Sequence, residues 1–264
     1  MKAEAQAGTN SVIINADDWG RSQVVTDRML ACVQGGSISS VSAMVFMEDS
    51  ARAAALALAH GVDAGLHLNL TTPFTAPHCP SRLQERQTAI TRFLRTHRLA
   101  PVVYHPGLTA SFRCVVQAQI DEYSRLYGHP PRRVDGHHHM HLCANLLFSR
   151  MIPEGVVVRR NFTFPATEKS WINRAYRAWQ DRILARRHPQ TDFFLNLVPL
   201  DPRRLQGVFA RALQGSVEVV AHPINDDEYR FLMEGGLARC LGPIAVARGY
   251  HFAGEEWNAP SDDL

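Results

Sequence analysis

The sequence predicts an α/β fold in which about seven parallel strands form a closed or nearly closed βα barrel, TIM-barrel-like in outline. Short runs of β-branched or apolar residues alternate with longer stretches of helical period, the pattern of βα units around a parallel sheet. Polar clusters fall at the ends of the strand candidates, where parallel sheets assemble their sites. The chain has 264 residues and 45% hydrophobic content, enough for one substantial core. An open doubly wound sheet gives a similar local pattern, so the pattern alone does not decide closure.

The first strand is Ser11 to Asp18, where Val12, Ile13 and Ile14 form a continuous apolar run. Gly20 permits a turn. Ser22 is placed to cap a helix carrying Val25, Met29, Leu30 and Val33 that stops at Gly35 and Gly36. A second strand is expected within Ser40 to Phe46, an alanine-rich helix from Ser50 to His60, and a third strand from Val62 to Leu70. The following segment, near 71–107, contains five prolines, at 73, 77, 80, 101 and 106. It is too long for an ordinary connection and reads as a substrate-binding insertion with a short helix around Leu83 to His97.

A helix from Ser111 to Tyr127 ends before Gly128 and Pro130-Pro131. Strand candidates follow at Arg133 to Gly136 and Gly155 to Arg159. The basic segment Lys169 to Arg187 reads as an outer amphipathic helix with Ile172, Tyr176, Trp179 and Ile183 on one side. Trp171 and Trp179 read as core residues, with stacking on a sugar ring as the alternative. The chain closes with a strand at Asp192 to Val198, a helix at Pro202 to Leu213, a strand at Val217 to Ala221 and a helix near Asp226 to Cys240. The expected organisation is a flexible tail at 1–10 and one domain over 11–264.

Charge excludes little: 28 basic residues stand against 25 acidic ones without long blocks of one sign, so nucleic acid is not an expected partner. No apolar stretch approaches the roughly 20 residues of a membrane span, and the opening residues lack a secretory core. The expectation is a cytoplasmic protein. Cys32, Cys79, Cys114, Cys143 and Cys240 are scattered, with no CxxC pair, and read as free thiols.

Chemistry concentrates at Asn15 to Asp18, His67 to Thr71, Asp135 to His141, and His222. Aspartate with neutral imidazole suits Zn, Fe, Co or Ni, and three protein ligands leave room for water and a substrate oxygen. Asp18 is the ligand choice; its neighbour Asp17 remains as a spare carboxylate able to take a proton. Taken singly, a DD pair can be a helix cap and His67 a hydrogen-bonded strand histidine. The tract DGHHHMH is more specific, since consecutive imidazoles seldom serve packing. In extended geometry His137, His139 and His141 share a face, and spacing does not choose among them. Pro223 biases His222 to extended geometry.

With these residues set out, the chain resembles the ChbG/YdjC carbohydrate deacetylases. INADDWG is similar to their INADDFG motif, GLHLNLT to their second motif, VDGHHHMH to their D-[GS]-H-x-H segment and VVAHP to their HP motif. The resemblance runs from about residue 11 to residue 225. It implies a distorted (β/α) barrel and hydrolytic removal of acetyl groups from N-acetylated sugars such as chitooligosaccharides. It also implies Asp18, His67 and His137 as ligands of one divalent ion, Mg or Zn, Asp17 as general base, and His222 as the group serving the leaving amine. A homodimer is expected on the same analogy.

Trp19 departs from the family phenylalanine, a change expected to alter only packing. Asp135 is a candidate for orienting an imidazole; Arg159 is a candidate to contact substrate or to pair with Asp17, with a solvated strand-end arginine as the alternative. The alternatives are a glycoside hydrolase, which needs two carboxyl groups and no metal, and a non-catalytic metal- or sugar-binding module.

Overall fold

The computed structural model describes residues 11–164 and 168–250. The expected tail and the last residues of the expected domain, 251–264, lie outside them. Strand β1 (Ser11–Trp19) leads into α1 (Gln23–Gln34), β2 (Ser40–Ala43), α2 (Ser50–Ala59) and β3 (Asp63–Leu68). The long segment after β3 holds α3 (Ser81–Leu94) and two short 3-10 turns before α4 (Thr109–Tyr127). Then come β4 (Arg133–Gly136), α5 (Ala144–Ser149), β5 (Val157–Val158), α6 (Trp171–Ala185) and β6 (Phe193–Asn196). The chain continues through α7 (Pro202–Phe209), β7 (Val217–Ala221), α8 (Asp226–Met233), α9 (Gly236–Leu241) and β8 (Ala245–Val246).

The strands order as β5-β4-β3-β2-β1-β7-β6, with β8 pairing the start of β1, and every pairing is parallel. The path ends at β5 and β6 without joining them, so the sheet is a curled half-barrel with β1 near its middle. No helix among the described residues is long and apolar enough to cross a membrane.

The two faces of the sheet differ in kind. Val12, Ile14 and Ala16 of β1, Val41 of β2, Leu66 and Leu68 of β3, Val134 of β4 and Val219 of β7 belong to the main apolar core. The residues between them, Asn15, Asp17, Ser40, Ser42, His67, Arg133, Asp135 and Glu218, are polar and buried. Side chains alternate across a strand, so the convex face packs on helices while the concave face is a polar interior. That departs from the branched apolar filling usual in such barrels.

Other expectations shift locally. Ser22 occupies the N-cap of α1 but makes no side-chain cap bond; its carbonyl accepts from Thr26 Oγ1 at 3.1 Å. The single helix expected over Asp226 to Cys240 is broken by Gly235, whose φ of +72° no continuing helix can hold. The two-residue β8 is too short to leave a periodic signal. In α6 the buried residues are Gln180, Asp181 and Leu184, not the expected apolar stripe; Ile172 is 63% and Trp171 72% exposed. Polar anchoring explains this: Gln180 Nε2 donates to the Leu142 carbonyl at 3.0 Å, and Asp181 Oδ1 accepts the Asn161 N–H at 2.9 Å.

Gly65 shows how closely the concave face is filled. A Cβ added there would lie 2.7 Å from Arg133 Cζ and 2.9 Å from its Nε, and Arg133 is itself buried. Gly65→Ala is expected to destabilise the fold by about 1–3 kcal/mol through overpacking, read as a lower urea midpoint with an unchanged m-value.

Candidate functional site

Two consecutive aspartates cannot face one side of a regular strand. Here the register of β1 on β2 slips between Asp17 and Trp19, and Asp18 takes a φ of +79°. The extra residue turns Asp18 back toward the side that Asp17 already faces, and aspartate tolerates this left-handed geometry better than most residues. Trp19 then enters the core fully buried, where its Nε1 donates to the Ala53 carbonyl at 3.1 Å. A phenylalanine cannot make that bond, so the departure at Trp19 changes more than packing.

The turn sets Asp18 Oδ1 at 3.4 Å from His67 Nε2 and 2.9 Å from His137 Nδ1, although Oδ1 has no hydrogen-bond partner of acceptable direction. Donor atoms of Asp18, His67 and His137 lie within 4.8 Å of one another. Ligands about 2.1 Å from a shared ion stand roughly 3.0 to 3.4 Å apart at octahedral to tetrahedral angles, so the two spacings fit a cation. Burial raises the Asp18 carboxyl pKa, but the facing His137 and His67 imidazoles outweigh it and hold the group well below the ordinary carboxylate range. Its other oxygen accepts from Arg21 Nη1 at 3.0 Å.

His67 is oriented from behind. Its Nδ1 lies 2.7 Å from Asp135 Oδ1, which leaves Nε2 directed at Asp18, the arrangement that fixes metal-ligand histidines. Asp135 Oδ2 accepts from Ser42 Oγ at 2.5 Å and pairs with Arg159 Nη2 at 2.8 Å. Asp17, His67 and Asp135 form a second close group. There, however, Arg159 already pairs with both carboxylates and Asp135 engages the His67 Nδ1, so that group already has its positive partner.

Asp17 is not spare in the sense expected. Arg159 Nη1 donates to its Oδ2 at 2.7 Å, Nη2 to its Oδ1 at 2.8 Å, and Asn15 Nδ2 to Oδ1 at 2.8 Å. Burial pushes its pKa up, but the Arg159 charge and that of His67 prevail and lower it. Arg159 Nε reaches Glu218 Oε1 at 2.6 Å, and its guanidinium lies over the Phe194 ring at 4.9 Å. Four buried carboxylates, of Asp17, Asp18, Asp135 and Glu218, thus face two buried guanidiniums, of Arg133 and Arg159, with Arg21 reaching in from the surface. Such an excess of negative charge is unfavourable in a low-dielectric interior unless a cation or a proton offsets it.

The histidine tract is not extended. It forms a kinked 3-10 segment, His137–Leu142, in which His138 and His139 take φ of +54° and +57°, so alternation does not assign its faces. Two such residues carry strain of roughly 1–3 kcal/mol each. His137 faces Asp18, the exposed His138 places Nδ1 2.9 Å from Thr71 Oγ1, and His139 packs edge-on to Phe162 and Phe194. His141 sets Nε2 2.9 Å from the Arg159 carbonyl. Burial lowers His138 and His141 to about 4 and His139 to about 3.

His222 follows Ala221, which pairs with Ala16 across β1 and β7, and therefore stands level with Asp17. Its N–H donates to Glu228 Oε2 at 2.7 Å, and Arg28 Nη1 donates to the carbonyls of Pro223 and Ile224 at 3.3 and 3.0 Å, clamping the turn. Sequence reasoning missed Ser42, Arg133 and Glu218. The last had a usable signal, a carboxylate inside the apolar run VEVVA.

Fold and site together define a parallel α/β half-barrel with an Asp-His-His cluster at the carboxyl edge of its strands. The chain belongs to the YdjC-like protein family, whose model matches residues 11–246. It is 31% identical over 135 residues to a chitooligosaccharide deacetylase of Serratia marcescens, covering 50% of each chain. Over 133 residues it is 31% identical to one from Proteus mirabilis, again 50% of each. A carbohydrate deacetylase of Danio rerio is 27% identical over 135 residues, 50% of this chain and 42% of that one. The chain thus spans about half the length of the curated relatives it matches. A solved Enterococcus faecalis structure, named a putative cellobiose-phosphate cleavage protein, superposes with a TM-score of 0.64 at 18% identity, covering 91% of this chain and 97% of that one; this is a likeness of fold.

Burial lowers the His67 pKa, but the charges of Asp17 and Asp135 more than reverse this and raise it from 6.5 to about 10. The folded value exceeds the unfolded one, so this imidazolium's contribution to stability is complete below about pH 6.5 and is lost as pH rises through about 10. With a chelator present, Tm should fall more steeply between about pH 7 and pH 10 in the wild type than in His67→Gln. Equal slopes in thermal melts would place the proton elsewhere.

Proposed function

We propose that this protein is a metal-dependent carbohydrate deacetylase that hydrolyses the N-acetyl group of amino sugars such as chitooligosaccharides. The observation carrying this reading is the close set of buried donor atoms of Asp18, His67 and His137, with Asp18 Oδ1 lacking a hydrogen-bond partner, beside a second carboxylate held by an arginine. The names of the relatives support the substrate class. A divalent cation on these three residues would polarise the amide carbonyl and lower the pKa of a bound water toward about 7. Two imidazoles among three ligands favour zinc or another transition ion, while magnesium remains the assignment implied by the family.

The chain's own residues supply the rest. Asp17 is ionised at neutral pH because Arg159 binds both its oxygens, and it accepts the proton of the attacking water. Asp135 holds His67 by Nδ1 and so keeps Nε2 for the cation. His222, level with Asp17 on the neighbouring strand, donates a proton to the departing nitrogen, since an amine anion is too poor a leaving group. Acetate and a free amino sugar result. The glycoside hydrolase alternative is less well supported: it needs a carboxylic acid with a raised pKa facing the substrate, whereas Asp17, Asp18 and Asp135 are all lowered, and Glu218, which burial raises, is buried and turned to Arg159 Nε.

The test is acetate release from a panel of N-acetylated mono- and oligosaccharides by protein stripped with a chelator and reloaded with Zn, Mg, Co or Ni. Activity should vanish on stripping and return on reloading. Asp17→Asn should lower kcat at least about 100-fold while retaining cation affinity, and His67→Ala should lose cation binding by calorimetry. Full turnover after stripping, or in either variant, would overturn the proposal.

A further inference from the structure

Arg159 follows β5, which has two residues, lies at one end of the sheet path and pairs on one side only, with β4. The Arg159 N–H donates to the Val134 carbonyl at 3.2 Å and its carbonyl meets His141 Nε2 at 2.9 Å. From there its side chain crosses the concave interior to reach Asp17 on the central strand. Three carboxylates hold the guanidinium on the way: Asp17 takes Nη1 and Nη2 at 2.7 and 2.8 Å, Asp135 takes Nη2 at 2.8 Å, and Glu218 takes Nε at 2.6 Å. The Nη contacts are with groups of the proposed reaction centre. The Nε contact comes from β7, on the far side of β1.

A guanidinium is a rigid plane, so its orientation is settled once Nε and the two Nη groups each have a partner. Glu218 is the partner that touches neither Asp17 nor the cation ligands. Without it a buried N–H is left unpaired, and the plane is held at its Nη end alone, by Asp17 and Asp135. Phe194 covers one face of the plane at 4.9 Å but offers Nε no acceptor.

We propose that Glu218 is a positioning residue that acts through Arg159 to fix the orientation of the Asp17 carboxylate. This rests on the deacetylase reading, in which Asp17 takes the proton from water. Glu218 touches no reacting atom and is not a cation ligand. Its loss therefore lowers turnover while leaving substrate and cation binding nearly intact.

The experiment compares Glu218→Leu, Glu218→Gln and Glu218→Asp with the wild type by kcat and KM for acetate release, cation Kd by calorimetry, thermal melting, and the Asp17 carboxyl 13C resonance. Glutamine keeps an acceptor at the distance Nε requires. Leucine has none, and aspartate keeps the charge but falls one methylene short. Leucine should lower kcat about 100-fold, the scale of a 1 Å misplacement, with KM and cation Kd within about threefold. Glutamine should recover at least about tenfold of that loss, and the Asp17 resonance should move in the leucine variant and stay near its wild-type position in the glutamine one.

Wild-type kcat in the leucine variant, equal impairment in leucine and glutamine, or an unmoved Asp17 resonance overturns the proposal. Should leucine fail to fold in the melts, glutamine outperforming aspartate supports the contact, and the reverse order overturns it. A wild-type protein that releases no acetate from any sugar removes the deacetylase reading instead; the Asp17 resonance then still decides whether Glu218 sets that carboxylate.

Discussion

Four carboxylates inside one curled sheet are tolerable only if positive charge meets them, and this requirement organises the concave face. Moving an unpaired carboxylate out of water costs on the order of several kcal/mol even after relaxation. Arg133 and Arg159 answer part of that cost through hydrogen bonds that cross from strand to strand: Arg133 Nη1 to Asn15 Oδ1 at 2.9 Å, Arg159 to Asp17 and Glu218. Ser40 and Ser42 fill the remaining acceptor and donor positions. The residual negative charge is concentrated where Asp18, His67 and His137 converge, and there the interior is suited to a cation.

The backbone is distorted where this charge gathers. Asp18 is turned by a slip in register, and His138 and His139, the two residues after His137, sit in left-handed geometry. A regular strand and a regular extended tract would each have sent half of these side chains to the helical side of the sheet. Deviations of this kind persist where the surroundings over-determine them. Here the surroundings are the Trp19 indole locked onto α2, the His141 contact with the Arg159 carbonyl, and the Thr71 contact with His138. The half-barrel also explains why side chains carry so much of the load. With β5 and β6 unpaired to each other, the interior is bridged by Arg159 rather than by a closed ladder.

Much of this was legible before any coordinates. The INADDWG, GLHLNLT, VDGHHHMH and VVAHP segments each end a strand, and parallel strands bring their carboxyl ends together whatever lies between them. Arg133–Gly136 and Val217–Ala221 were read with their observed bounds, because each is bracketed by turn residues or a change of period. The reading failed where burial did not follow periodicity. In α6 the apolar stripe of Ile172 and Trp179 faces out, because the hydrogen bonds that Gln180 donates and Asp181 accepts set the helix's rotation.

The order of the seven main strands and the longer helices, the chemistry available at each strand end and the family of the chain follow from the sequence, since all three depend on local pattern and residue type. Only the tertiary structure decided that the sheet stops short of closure, that Asp17 and Asp18 face the same side, that Asp17 is engaged by Arg159, and that Glu218 belongs to the same network. Each of those depends on register or on contacts between residues more than about fifty positions apart, such as Arg159 with Asp17 across 142 positions and with Glu218 across 59. Spacing along one chain carries no record of such distances, because they are set by how the strands pack against one another.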